Sequence, residues 1–403
     1  FLCKTLNKPS KLMNNTQNTE RDEMGLIPPY GGILKQLILR DKDEITDLLS
    51  EIDFEKECSE RNACDVELLM IGAFSPLEGF MNEEDYKSVT KDHRDTKGFL
   101  FGLPIVLDTN NDHFEKGQKI LLTFKGQKLA VLEIESKWEP DKELEAKFCY
   151  GTTSLDHPAV SMIFHEREKY YIGGKIYGLE LPKREFPCQT PFEVRSSLPS
   201  NYDVVAFQCR NPIHRAHYEL FTNALKSENV SQNSIVLVHP TCGPTQQDDI
   251  PGKVRYLTYK KLSEEINNKQ IKWAYLPYSM HMAGPREALQ HMIIRRNYGC
   301  THFIIGRDMA GCKSSISGED FYGPYDAQNF AKNCTFELNM KVVPSKNLVY
   351  TKEKGYITAE EANENKYQIM KLSGTEFRKK LRNGEEIPEW FAFKSVVDVL
   401  RQS

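Results

Sequence analysis

The chain has 403 residues, enough for two or three domains, because single cores stop growing near roughly 250 to 300 residues. Lys+Arg 53 against Asp+Glu 57 leaves a net charge of -4, which excludes the global basic field of a nucleic-acid binder, so any anion site must be local. No apolar run approaches the ~20 residues of a membrane span, and the mean hydropathy of -0.54 agrees. Ten cysteines stand singly without a CxxC pair, in a chain too long to depend on disulfides, which points to a reducing compartment.

Residues 1–24 read as a trimmed or disordered tail. The stretch begins without Met and has no acidic residue before Glu20. The cytoplasm is the expected location; the acidic-poor tail keeps a plastid or mitochondrion open as a transit remnant. Residues 25–186 show short apolar runs punctuated by Gly, Asn and Asp, among them "GLPIVLD", "QKILLTF", "KLAVLEIESKW" and "YYIGGKIYGLEL", and are expected to form a β-rich domain. Within it "DVELLMIGAFSPLEGFMNEEDY" reads as a helix closing at Gly72, followed by a packed loop. "FPCQTPFEVRSSLPS" reads as a linker. Residues 187–348 then change character: "DVVAFQCR", "SIVLVHP", "KWAYLPY" and "THFIIGRD" are continuous apolar runs between helical segments, the signature of buried parallel strands. Residues 349–403 form a small third segment, in which Ser373 or Thr375 can cap a basic helix stopped by Gly384.

The unusual polar residues gather at the carboxyl ends of those apolar strands, where ligands collect in open α/β sheets. "FQCRNPIHRAHYEL" follows its strand with Gln208, Cys209, Arg210 and Asn211; Asn211 with Pro212 reads as a helix cap, and His214 and His217 share a face of the first turn. A helix amino terminus attracts anions, and Gln208 and Arg210, at alternate positions, add donors suited to a tetrahedral oxyanion. "THFIIGRDMAG" repeats the arrangement with Gly306, Arg307, Asp308, Met309, Ala310 and Gly311. Arg286, in the first turn of the helix pattern that precedes that loop, is misplaced electrostatically unless an anion lies near. Asp248 and Asp249 read as a solvated acidic loop, with a lid or an indirect hold on Mg²⁺ as the alternative. An HxxH pair alone also suits half of a metal site, but no third ligand stands at fixed spacing.

"QCRNPIHRAH", "GPREALQHMIIRRNYGCTHFIIGRDMAG", "GEDFYGPYDAQ" and "LSGTEFRKKLRNGEEIPEWF" resemble the ATP sulfurylase family, from "PYGGIL" near residue 30 to the end of the chain. The resemblance implies an α/β protein. An HxxH nucleotidyltransferase domain with a parallel sheet would follow an N-terminal PUA-like β domain and precede a small C-terminal α/β domain. It implies ATP plus sulfate giving adenosine 5′-phosphosulfate and pyrophosphate, with Mg²⁺ accompanying the nucleotide, no nucleic-acid or membrane partner, and a homo-oligomer. By the same resemblance Gln208, Arg210 and the Ala310 amide hold sulfate, and Cys209 to Asn211 with His214 and His217 form the catalytic motif. Asn211 positions the α-phosphate and the two histidines act on the α–β bridge. Gln208, Asn211, His214, Gly306, Arg307, Asp308, Met309 and Asn347 line the nucleotide.

Several positions depart from the family pattern. Cys209 stands where Thr is common, Met309 where His is, and Cys312-Lys313 where Pro-Gly is. Ser345-Lys346 replaces what is often Phe-Arg. Met309 has no side-chain donor, so any role of its position must run through the backbone or be absent here. Cys209 and Cys312 are expected to be small fillers, with redox sensitivity as the alternative. Two other functions stay open: an HxxH nucleotidyltransferase with another acceptor, using Ser373, Thr375 and Arg378 on phosphate, and an inactive sulfate- or nucleotide-binding regulator.

Overall fold

The computed structural model describes residues 20–246 and 249–403. Strands β1 (Phe54–Glu57), β2 (Gly79–Phe80), β3 (Leu107–Thr109), β4 (Lys119–Phe124), β5 (Gln127–Trp138) and β6 (Tyr170–Gly178) make the first sheet. Its order is β1-β4-β5-β6-β2, with β3 also on β6, and β4, β5 and β6 pair antiparallel. Helix Glu60–Met70 packs on this sheet; Ser59 caps it, Ile71 ends it and Gly72 follows at φ +84.

Strands β7 (Asp203–Phe207), β8 (Ser234–Val238), β9 (Ile271–Trp273), β10 (His302–Ile305) and β11 (Lys341–Pro344) form an all-parallel second sheet in the order β11-β10-β7-β8-β9. The chain runs outward from β7 to β9, then returns to the other side of β7, so the order reverses between β7 and β10. A crevice opens at the carboxyl ends of strands where such a reversal occurs. Beyond it, β12 (Leu348–Thr351), β13 (Gly355–Thr358) and β14 (Ile369–Met370) make a small antiparallel sheet. Helices Gly374–Asn383 and Lys394–Gln402 complete the carboxyl end. Ser373, not Thr375, caps the first of these, and Gly384 closes it at φ +68.

One apolar cluster runs through both larger sheets, from Phe80 and Tyr171 on one side to Leu289, Met292 and Phe303 on the other. Helix Pro285–Asn297 lies at that junction and is buried on nearly every side, although its sequence is polar around most of its circumference. Its polar groups are satisfied by reaching into surrounding backbone. Arg286 donates to the carbonyls of Val89, Thr90, Gly102 and Phe148; Gln290 accepts from the amides of Gly102 and Leu103; Asn297 binds Tyr30, Ala73 and Ser75. Arg286 is therefore spent on joining domains and faces no anion site.

Two boundary expectations are corrected as well. Residues 20–24 belong to the folded body, because Arg21 pairs with Asp203 at 2.9 Å and Asp22 with Arg195 at 2.9 Å; residues 1–19 of the expected tail lie outside the described residues. The expected linker contains helix Pro191–Ser197, opened by a Thr190–Glu193 capping box that its Pro and Ser content obscured. Among the described residues no helix is long and apolar enough to cross a membrane.

Candidate active site

The crevice between β7 and β10 is a cleft of ≈ 420 Å³. The ends of β7 and β10, the first turn of helix Arg215–Ala224 and the exit of β11 wall it, and it brings together Gln208, Cys209, Arg210, Asn211, His217, Gly306, Arg307, Met309, Ala310 and Asn347. Of the residues that the family resemblance assigns to catalysis, sulfate or nucleotide, His214 and Asp308 are not on its wall.

Residues 208–213 cross the top of the sheet before the helix begins at Arg215, so the cap is His214 and not Asn211. Asn211 lies in a bend on the cleft wall, with its carbonyl accepting the Tyr259 hydroxyl at 2.9 Å. The amide of His214 donates to Nδ1 of His217 at 3.1 Å. A neutral imidazole accepting at Nδ1 carries its proton on Nε2, so His217 is a donor. The His214 ring stacks on His217 at 5.8 Å between centroids, and Phe377 and Phe391 of the carboxyl-terminal segment close around it at 5.0 and 4.8 Å. Burial pulls both imidazoles down to about 4, so each is neutral at physiological pH. The cleft therefore meets anions with the cations of Arg210, Arg307 and Lys346 and with neutral dipoles rather than with charged histidines.

Arg210 forms an ion pair with Asp249, whose carboxylate also accepts from the Gln246 amide at 3.1 Å. The acidic loop is thus turned toward the cleft, at least through Asp249; Asp248 lies outside the described residues. In the loop after β10, Asp308 and Ala310 hold φ of 57 and 52, left-handed values that a residue with a side chain adopts only where its surroundings fix them. The Ala310 carbonyl accepts from Gly284 at 2.9 Å, its own amide has no hydrogen-bond acceptor among the described residues, and the residue lines the cleft. Asp308 pairs with Arg307 at 3.2 Å and turns toward a second cavity of ≈ 230 Å³ behind the loop; Met309 lines both.

Ser373 spends its hydroxyl on the Glu376 amide, and neither it, Thr375 nor Arg378 lines the cleft. Burial pushes the Cys209 and Cys312 thiols up to about 12, which suits fillers and not redox sensors. Met280, Tyr325 and Lys346 also wall the cleft. Sequence reasoning passed over Met280 and Tyr325 because each belongs to an element whose pattern reads as core or loop. Among the described residues no group of three or more His, Cys, Asp or Glu side chains is placed to hold a metal ion.

The ATP-sulfurylase family model matches residues 188–403, and that of a PUA-like domain matches residues 27–181. The sulfate adenylyltransferase of Neurospora crassa is 41% identical over 93% of this chain and 67% of its own length. The chain belongs to the ATP-sulfurylase family. Similar family members include the sulfate adenylyltransferases of Saccharomyces cerevisiae, 39% identical over 93% of this chain and 75% of that protein, and of Schizosaccharomyces pombe, 42% identical over 86% and 72%. A solved structure, the hexameric APS kinase from Thiobacillus denitrificans, superposes with a TM-score of 0.73, covering 94% of this chain and 68% of that one; at 24% identity it shows a shared fold.

Proposed function

We propose that this member of the family is an active sulfate adenylyltransferase, in which a sulfate oxygen attacks the α-phosphorus of ATP while the bond to the bridging oxygen breaks. The electron pair leaves on pyrophosphate and adenosine 5′-phosphosulfate remains. Sulfate is already fully ionised, so no proton moves and no general base is needed. What the reaction needs is two mutually repelling anions held in line, and a leaving group whose growing charge is met by fixed dipoles.

The cleft supplies those groups. Gln208, Arg210 and the Ala310 amide are the sulfate donors. Asn211 and the Gly306–Met309 backbone are the nucleotide side, with Asn347 at the adenine end. His217 offers Nε2–H to the leaving pyrophosphate from the cleft wall, and His214 backs it from the same helix turn. Met309 contributes backbone only. Asp249 must release Arg210 when a dianion takes its guanidinium, since the two carry like charge. The observation that carries this reading is that Arg210, Gln208, His217 and Ala310 line one cleft at the reversal between β7 and β10.

The nucleotide arrives as its magnesium complex. Mg²⁺ keeps most of its waters and takes phosphate oxygens as ligands, which fits a cleft whose groups are donors to phosphate rather than a carboxylate cage. A homo-oligomer is part of the same reading, supported by the solved structure of the same fold, which is described as hexameric. The test is pyrophosphate release from ATP with and without sulfate. It should depend on sulfate in the wild type and fall about a hundredfold or more in Arg210→Ala, with the sulfate KM raised. Sulfate-independent release, or full turnover by Arg210→Ala, would overturn the assignment.

A further inference from the structure

Helix Pro285–Asn297 carries one cation whose purpose the fold does not account for. Arg286 ties domains together, but Arg295, fully buried, has no carboxylate partner among the described residues. Its guanidinium donates to His291 Nδ1 at 2.6 Å, to the carbonyl of His239 at 2.7 Å and to Oε1 of Gln208 at 2.5 Å, and its Nε has no partner. Burying a whole charge without a counter-ion is costly, and a hydrophobic side chain of similar length would spare that cost. Outside its own helix, the one side chain among the described residues that accepts a hydrogen bond from this cation is the glutamine of the anion site.

Gln208 receives a second donor at the same atom, because the Thr241 hydroxyl reaches Oε1 at 3.1 Å. A carbonyl oxygen has two lone pairs, and both are taken. Turning the amide over would set its NH₂ against a guanidinium, which has no acceptor. The orientation of Gln208 is therefore determined from behind, and the edge left toward the cleft is Nε2, held only by long contacts to the Cys209 carbonyl at 3.3 Å and the Met280 sulfur at 3.8 Å.

We propose that Arg295 and Thr241 are positioning residues that lock the Gln208 amide with its N–H edge toward the cleft, and that this lock lets the site take fully deprotonated sulfate and refuse hydrogen phosphate. The inference rests on the assignment of Gln208 to the sulfate site. Sulfate at neutral pH is an acceptor at every oxygen, and Gln208 Nε2, the Arg210 fork and the Ala310 amide are donors. Phosphate at the same pH keeps at least one P–OH, which needs an acceptor. Were the amide free to turn, Gln208 would supply one, as glutamine side chains do wherever nothing fixes them. Among the described residues the other side-chain acceptors at this edge, the Asp249 carboxylate and the Gln246 amide oxygen, both sit on the guanidinium that the anion takes, and the carboxylate repels either dianion.

Four variants test this, each read as sulfate KM, ATP KM, kcat, the competitive Ki of inorganic phosphate against sulfate, and a thermal melt. Arg295→Met should raise the sulfate KM about 30-fold, leave the ATP KM within about threefold, and shrink the ratio of phosphate Ki to sulfate KM about tenfold, the range expected when a buried polar partner is lost. Arg295→Lys, which keeps a charged donor, should recover part of both. Thr241→Val removes one hydroxyl at constant volume and should move the same ratio about threefold. Gln208→Glu stays paired with Arg295 but turns an oxygen to the cleft, and should shrink the ratio about a hundredfold by welcoming the P–OH.

If Arg295→Met does not fold, Thr241→Val and Gln208→Glu decide the matter alone. An unchanged ratio in folded Arg295→Met and in Thr241→Val, or equal losses for sulfate and ATP, would sink the lock. Arg210→Ala separates the two levels. Should it bind sulfate like the wild type, the sulfate site itself is misassigned; should it lose sulfate while the ratio stays constant in the other variants, the site stands and the lock falls.

Discussion

His217 is a hydrogen-bond donor because the amide of His214 occupies its Nδ1, and it is neutral because the protein buries it. That gives the residue a specific kinetic signature. Replacing His217 with Ala should lower kcat about 10² to 10³-fold, the usual loss for one oxyanion donor, with much smaller changes in the sulfate KM. Steady-state assays in the direction of pyrophosphate formation check it. The same burial couples the site to acid stability. In the unfolded chain an imidazole takes its proton near 6.5, whereas the folded His214 and His217 refuse it until about 4. The stability tied to these neutral rings is therefore complete above pH 6.5 and lost as pH falls from there toward 4. Urea melts between pH 7 and 5 should show that slope, and His217→Gln should flatten it. Cys209 and Cys312 have thiols near 12, so the thiolate at pH 8 is only about one part in 10⁴. Alkylation by iodoacetamide at that pH should leave both unmodified in the native protein, as peptide mass mapping can show.

At the scale of elements, the small carboxyl-terminal segment acts on the chemistry through the first turn of helix Arg215–Ala224. Phe377 and Phe391 form the wall around His214, the Arg215 amide donates to the Phe391 carbonyl at 3.1 Å, and the Arg215 guanidinium covers Phe393 at 4.0 Å. Phe377→Ala should cost about 3 kcal/mol of stability in that segment through lost burial and the space left behind. It should also return the His214 pKa toward 6.5, because the ring regains water; imidazole proton shifts followed by NMR titration read this directly. A segment serving only as a surface appendage would leave that titration unmoved.

For the whole molecule, the decisive contact is the buried helix Pro285–Asn297, which shares one apolar cluster with both larger sheets. Arg286 spans this junction with four carbonyl contacts, so Arg286→Ala strands several buried acceptors at once. A loss of about 3 to 5 kcal/mol is expected, seen as a lower and broadened calorimetric transition. A shift of under about 1 kcal/mol would mean that the two sheets hold together without it.

Much of this protein is legible in its order of residues, for physical reasons. Continuous apolar runs bounded by helices require strands buried on both faces, and they are the parallel strands β7 to β10. Gly384 and Ser373 stand at helix ends because a left-handed cap and a free amide ask for those side chains. Gln208, Arg210 and His217 could be singled out because polar residues directly after such runs have few structural excuses. What sequence could not supply is orientation. Asn211 looked like a cap, but the chain needs three more residues to cross the sheet. Arg286 and Arg295 are nine residues apart on one helix and read alike, yet one reaches backbone carbonyls between domains and the other reaches the glutamine of the anion site. That assignment depends on which groups the fold brings to each side of a buried helix, and only long-range packing decides it.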